Sequence, residues 1–164
     1  MHPTHNPSVD VTAVVDSTPA DVLRGAALYL RRHGFHQGDM FASLTILTPA
    51  ACAQGAVKMA ICGDPQASYT LDQVALFDLT MIVLAEHVGM SYDRNTELFE
   101  LFPAKDPGDW VADWNDDSRR TAEQVITAMT TAADDWDHIA VLTASLAAQL
   151  ADDLDGDFTQ DGVR

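Results

Sequence analysis

Four threonines divide this chain into helices. Thr18, Thr48, Thr70 and Thr121 each stand just ahead of an apolar run, and the first three runs close on Gly34, Gly63 and Gly89. A threonine hydroxyl before a helix accepts one of the amide protons that the first turn leaves unpaired. Glycine past the last turn takes the left-handed conformation that ends a helix. Pro19 and Pro49 follow two of the threonines, and proline suits the first helical position. Such punctuation predicts a mainly α domain of four to six helices.

Taken in order, residues 1–16 hold two prolines and no periodicity, which predicts a flexible leader; Val9–Val15 alternates loosely enough for an edge strand. The first helix opens at Thr18-Pro19-Ala20-Asp21, with Asp21 at the positive end of the dipole. Val22, Leu23, Ala26, Ala27 and Leu30 form its apolar stripe, and Arg31, Arg32 and His33 fill its last turn. Phe35–Thr48 reads as extended, so a small β-hairpin or strand is expected near 38–48. Thr48-Pro49 then predicts a second helix from Ala50 to about Ile61, whose small residues permit close approach of another element. The third, Leu71–Val88, is apolar almost all round, which predicts the buried centre of the domain. Asp78 in its midst needs a partner or an outlet to solvent. Thr96–Phe102 reads as a further short helix.

The densest chemistry lies in Asp109–Thr121. Trp110 and Trp114 are four apart, so a helical turn stacks them on one face. Asp116 and Asp117 precede a capping box, Thr121 with Gln124, and Arg120 can pair with either acid. A structural role accounts for most of this: an anchor, a turn and a capped helix. Beyond it, Val125, Met129, Ala132, Trp136, Ile139, Thr143, Leu146 and Leu150 alternate steps of four and three, a heptad seam. The seam fits one long helix that leaves the domain, or two helices breaking at Asp134-Asp135. The expected organisation is a leader at 1–16, a core at 17–134, an amphipathic helix at 135–151 and a disordered acidic tail at 152–164.

Charge bounds the function. Twenty-five acids against nine bases give −16, which solubilises the protein, repels phosphate backbones and anionic membranes, and favours a basic partner surface. Direct nucleic-acid binding is therefore not expected. The longest apolar run, Leu79–Ala85, is too short to span a bilayer, and Met1–Pro7 lacks the features of a signal peptide. Cys52 and Cys62 would stand about 15 Å apart on one helix, beyond disulfide reach. Two unpaired thiols suit a reducing cytoplasm. No cofactor is expected, and no metal: ligand spacing is absent, and the tail's Asp153–Asp157 run has Phe158 where a calcium loop needs glycine.

The chain resembles a family of small uncharacterised proteins common in actinobacteria and their phages. The resemblance rests on Gly34-Phe35 with Gln37-Gly38, on Cys52-Ala53-Gln54-Gly55-Ala56, and on Trp114-Asn115-Asp116 with Arg120-Thr121 and Val125, and covers roughly residues 18–134. It implies a compact α-rich domain in an actinobacterial or phage setting and carries no activity.

Two functions of different class follow. One is an acidic intracellular interaction module without catalysis, binding through Trp110, Asp113, Trp114, Asn115, Asp116 and Arg120, with a homodimer through the C-terminal helix. The other is a small enzyme or metabolite binder, its pocket near Trp110 and Trp114 and shared with Cys52, His36 and Asp78.

Overall fold

The computed structural model describes residues 17–90 and 105–157, with side chains as far as Ala151. Five helices occupy these residues: α1 (Pro19–His33), α2 (Ala53–Cys62), α3 (Leu71–His87), α4 (Pro107–Asp116) and α5 (Ala122–Asp157). Three open on the capping threonines. In α1 the Thr18 hydroxyl accepts from the Asp21 N–H at 3.2 Å, while the Asp21 carboxylate accepts from the Thr18 N–H at 3.0 Å. The pairs Thr70–Gln73 and Thr121–Gln124 repeat this reciprocal arrangement.

The core forms where α1 lies against α5 and α2. Leu23, Ala26, Ala27 and Leu30 of α1 meet Val125, Met129, Ala132 and Ala133 of α5 within one buried cluster. Arg24, on the edge of that contact, donates to Asp134 and Asp137 at 2.7 Å each. The centre is α2 rather than α3. Ala53, Gly55, Ala56, Val57, Met59 and Ile61 of α2 are all buried. In α3 only Thr80, Met81, Leu84 and Ala85 are, and Leu71, Val74 and Leu79 face solvent. An all-round apolar helix does not declare which face is covered, and the small residues of α2 let neighbours close around it. Asp78 is exposed, so it needs no buried partner.

The expected hairpin near 38–48 is not found. Two isolated bridges, Phe35 and Phe41 each to Ala51, replace it. The reason lies in the backbone of 50–52. Ala50 O accepts from Ala42 N–H, Ala51 N–H donates to Gly34 O, Ala51 O accepts from His36 N–H, and Cys52 N–H donates to Met40 O. These residues bond across to 34–42 and cannot join a helix. Accordingly α2 starts at Ala53, later than Thr48-Pro49 predicts, and is capped by Cys52, whose Sγ accepts from the Gly55 N–H at 3.5 Å.

Asp134-Asp135 does not break α5, which is one helix and runs on to Asp157, past the start of the expected tail. The Val9–Val15 strand and the Thr96–Phe102 helix fall outside the described residues.

Candidate functional site

The three sequence blocks that carry the resemblance meet at one place. Asn115, near the end of α4, is 1% exposed. Its Oδ1 accepts from the Ala53 N–H at 3.0 Å, at the start of α2. Its Nδ2 donates to the Asp116 carboxylate at 2.8 Å and, more weakly, to His36 O at 3.5 Å. That carboxylate also accepts from the Gly38 N–H at 3.0 Å. Gln37 Nε2 donates to the carbonyls of Asn115 and Asp117 at 2.7 and 2.9 Å. Gly38 holds φ +92°, where a side chain would strain the turn. A buried side-chain amide demands partners, and Asn115 finds them on α2, on the 36–38 loop and on the adjacent Asp116. Asn115 and Asp116 are thus spent on joining α4, α2 and the 36–38 loop.

The remaining predicted site residues line a separate cleft of about 290 Å³, formed with Val88 and Lys105 by Trp110, Asp113, Trp114, Asp117 and Arg120. Asp106 caps α4 through the Gly108 N–H at 2.8 Å, and Pro107 opens it. Trp110 and Trp114 then fall on one face, as their spacing predicts. The Arg120 guanidinium lies over the Trp114 ring, 4.3 Å from its centre, and its Nε donates to the Trp114 carbonyl at 3.1 Å. Arg119, not Arg120, takes the neighbouring acid: its Nε and Nη2 reach Asp117 at 3.1 and 2.8 Å. These Arg119 bonds, side chain first and then backbone N–H, hold the Asp117 carboxyl well below the usual range. Lys105 is ion-paired with Asp113.

Cys52, His36 and Asp78 do not line this cleft, so the five-residue pocket expected from the sequence does not assemble. Cys52 is buried at the α2 cap, and burial pushes its thiol pKa up. It is not an activated nucleophile.

Sequence reasoning missed a second site, between α3 and α5. Leu79, Ile82, Val83, Trp136 and Ile139 wall an apolar groove of about 350 Å³, with His87 and Asp135 on its rim. His87 Nδ1 lies 3.0 Å from an Asp135 oxygen, and its Nε2 2.8 Å from the Thr131 hydroxyl. The order hydroxyl, imidazole, carboxylate is that of a nucleophilic triad. Thr131 Oγ1, however, donates within its own helix to Thr127 O at 2.9 Å, as a mid-helix threonine does. The arrangement ties α3 to α5. Its only sequence signal was a histidine in the last turn of α3. Among the described residues no cluster of three His, Cys, Asp or Glu can hold a metal ion, and no helix is long and apolar enough to cross a membrane.

Residues 14–135 match the DUF6197 family, described as a family of unknown function. The chain belongs to that family. No curated protein and no solved structure matches it significantly. The family match ends at 135, while α5 continues to Asp157. The helix therefore runs on past the matched residues, and Trp136 and Ile139 of the groove lie beyond them.

Proposed function

We propose that the protein is an acidic, intracellular interaction module without catalytic activity, which pairs with a second copy through the projecting half of α5. One observation carries this. The seam that packs in the core at Val125, Met129 and Ala132 continues along α5 with no covering element among the described residues, leaving Ile139, Leu146 and Leu150, with Leu142 beside them, each 55–61% exposed. A surface helix hides such a stripe, and contiguous exposed apolar surface marks interaction sites.

A heptad seam is self-complementary, which favours a second copy as occupant. Covering four half-exposed aliphatic side chains in each of two copies gains on the order of 1 kcal/mol per side chain, about 8 in all. That only meets the lower estimates of what association costs. The α3–α5 groove beside the seam supplies the remainder, so the dimer is weak and concentration-dependent. Dimerisation leaves the acidic surface, including exposed Asp109 and Asp113 beside the tryptophans, to receive a basic protein partner. In this reading the protein is a cytoplasmic binder of phage-type or regulatory role, and it does not contact nucleic acid directly.

Sedimentation velocity of the pure chain over a wide concentration range tests the pairing. The mass should rise from monomer to dimer, and more readily at high salt, because two copies of charge −16 repel until screened. Replacing Leu142 and Leu146 by Asp should restore the monomer. A concentration-independent monomer for the unaltered chain would sink the reading.

The cleft at Trp110 and Trp114 favours a second reading, a small-molecule-binding protein. Its volume sits at the small end of ligand pockets, and it brings aromatic, apolar and charged walls together.

A further inference from the structure

We infer that the Trp110–Trp114 cleft receives a carboxylate carried on a small aromatic body, with Arg120 as the group that recognises the anion. The inference rests on the second reading above and names its ligand class.

Arg120 is half-buried, whereas the exposed Arg24 and Arg119 are committed to acids. Arg24 holds two carboxylates and Arg119 one. Arg120 makes no ion pair among the described residues, although the chain carries 25 acids. The adjacent acid, Asp117, is already taken by Arg119 from two nitrogens. Arg120 is nevertheless held in place. Its Nε is fixed on the Trp114 carbonyl at 3.1 Å, and its plane lies over the Trp114 ring. Neither contact uses an Nη group. A guanidinium fixed in plane, with its terminal donors uncommitted among the described residues, matches the two oxygens of a carboxylate.

The surroundings agree. Trp110, Trp114 and Val88 give the cleft an apolar wall, and its volume of about 290 Å³ suits a single-ring molecule. Lys105 stands at the rim, its charge shared with Asp113. The acids that also line the cleft, Asp113 and Asp117, face cations already, so an entering carboxylate meets ion pairs rather than bare charge. Arg120 immediately precedes the capped start of α5, whose dipole presents positive potential there.

Benzoate, its neutral isostere benzamide and the cation benzylamine are the probes, titrated into the ¹⁵N-labelled full chain. The side-chain N–H signals of the three tryptophans are the readout. A ligand this small binds in the millimolar range. Benzoate should shift Trp110 and Trp114 saturably while leaving Trp136 in place, and should bind at least tenfold more tightly than the other two. Arg120→Gln should abolish saturation. Arg120→Lys should weaken it about tenfold, since lysine keeps the charge but loses the planar fork. Should Arg120→Gln fail to fold, Lys105→Met, which leaves the Trp114 stack intact, should weaken benzoate severalfold. Benzamide or benzylamine binding as well as benzoate would overturn the carboxylate while retaining a small-molecule site. No saturable shift with any probe would overturn both. Unchanged benzoate affinity in Arg120→Lys and Lys105→Met would overturn the role of the cations.

Discussion

The side chain of Asn115 accepts a hydrogen bond from the backbone N–H of Ala53, 62 positions away, at 3.0 Å. Both residues are buried, so no water replaces the bond if it is lost. Removing one partner of a buried pair costs the desolvation of the other, about 1–3 kcal/mol. Asn115→Ala strands the Ala53 amide and also removes a donor to Asp116. It should therefore lower the unfolding free energy by about 2–3 kcal/mol, read from urea denaturation. A loss below about 0.5 kcal/mol, ordinary for a surface substitution, would show that the joint is ornamental.

Gly55 lies beside the same joint. A Cβ there would run into the Met40 carbonyl, and the side chain of Ala51 lies close by. The obstacle is backbone, pinned by the bond from Cys52 N–H to Met40 O, so it cannot swing aside. Gly55→Ala gains helix propensity of about 1 kcal/mol, yet overpacking against fixed backbone costs more. The variant should be destabilised by about 2 kcal/mol or more. A thermal midpoint at or above that of the unaltered chain would contradict this geometry.

How far these contacts were legible in the sequence depends on their range. Thr18, Thr70 and Thr121 act three residues away, and each was readable. Thr48 failed as a cap because the backbone of Ala50–Cys52 is claimed by residues 34–42, a pairing that no local pattern announces. The tryptophan spacing placed Trp110 and Trp114 together correctly, but the density of their neighbours concealed two different tasks. Asn115 and Asp116 close the fold, while Trp110, Asp113, Trp114 and Arg120 form the cleft. Asn115 could not be sorted beforehand because its partner is a backbone amide, which carries no residue identity. The choice of Arg119 over Arg120 for Asp117 is set by the turn between α4 and α5, which the sequence marks only as a turn.

That turn makes stability depend on pH. Asp117 is held below its ordinary pKa by Arg119, and Asp21 is lowered by the Thr18 N–H and hydroxyl. A carboxylate with a depressed folded pKa contributes stability above its unfolded value, about 3.9, and loses it as pH falls through the folded value. Urea midpoints should hold from pH 7 to about 5 and decline below about 4. Asp117→Asn should flatten the decline. An unchanged acid limb in that variant would remove Asp117 from the account.

The two cysteines should differ in reactivity. Cys52 is 5% exposed and its sulfur accepts the Gly55 N–H, whereas Cys62 ends α2 half-buried. Burial raises both thiols, which disfavours the reactive thiolate. Access then decides the order. Iodoacetamide under native conditions should label Cys62 at least about tenfold faster than Cys52, which should react fully only in denaturant. Mass spectrometry of the labelled peptides checks this; equal native rates would show that the α2 cap opens readily.

The last prediction separates the domain from its projecting helix. Arg24 pairs with Asp134 and Asp137, and His87 bonds Thr131 and Asp135. All these ties lie within α5 up to Asp137. Beyond it every described side chain is exposed. Ending the chain after His138 therefore removes no buried side chain among the described residues, only the groove contact of Ile139. At concentrations where the full chain is monomeric, truncation should change the unfolding free energy by under about 0.5 kcal/mol. At high concentration the full chain should gain stability that the truncated one lacks, because association favours the folded state by mass action. A concentration-independent loss of several kcal/mol on truncation would mean that the distal half of α5 folds back onto the core, and the exposed seam would no longer be available to a second copy.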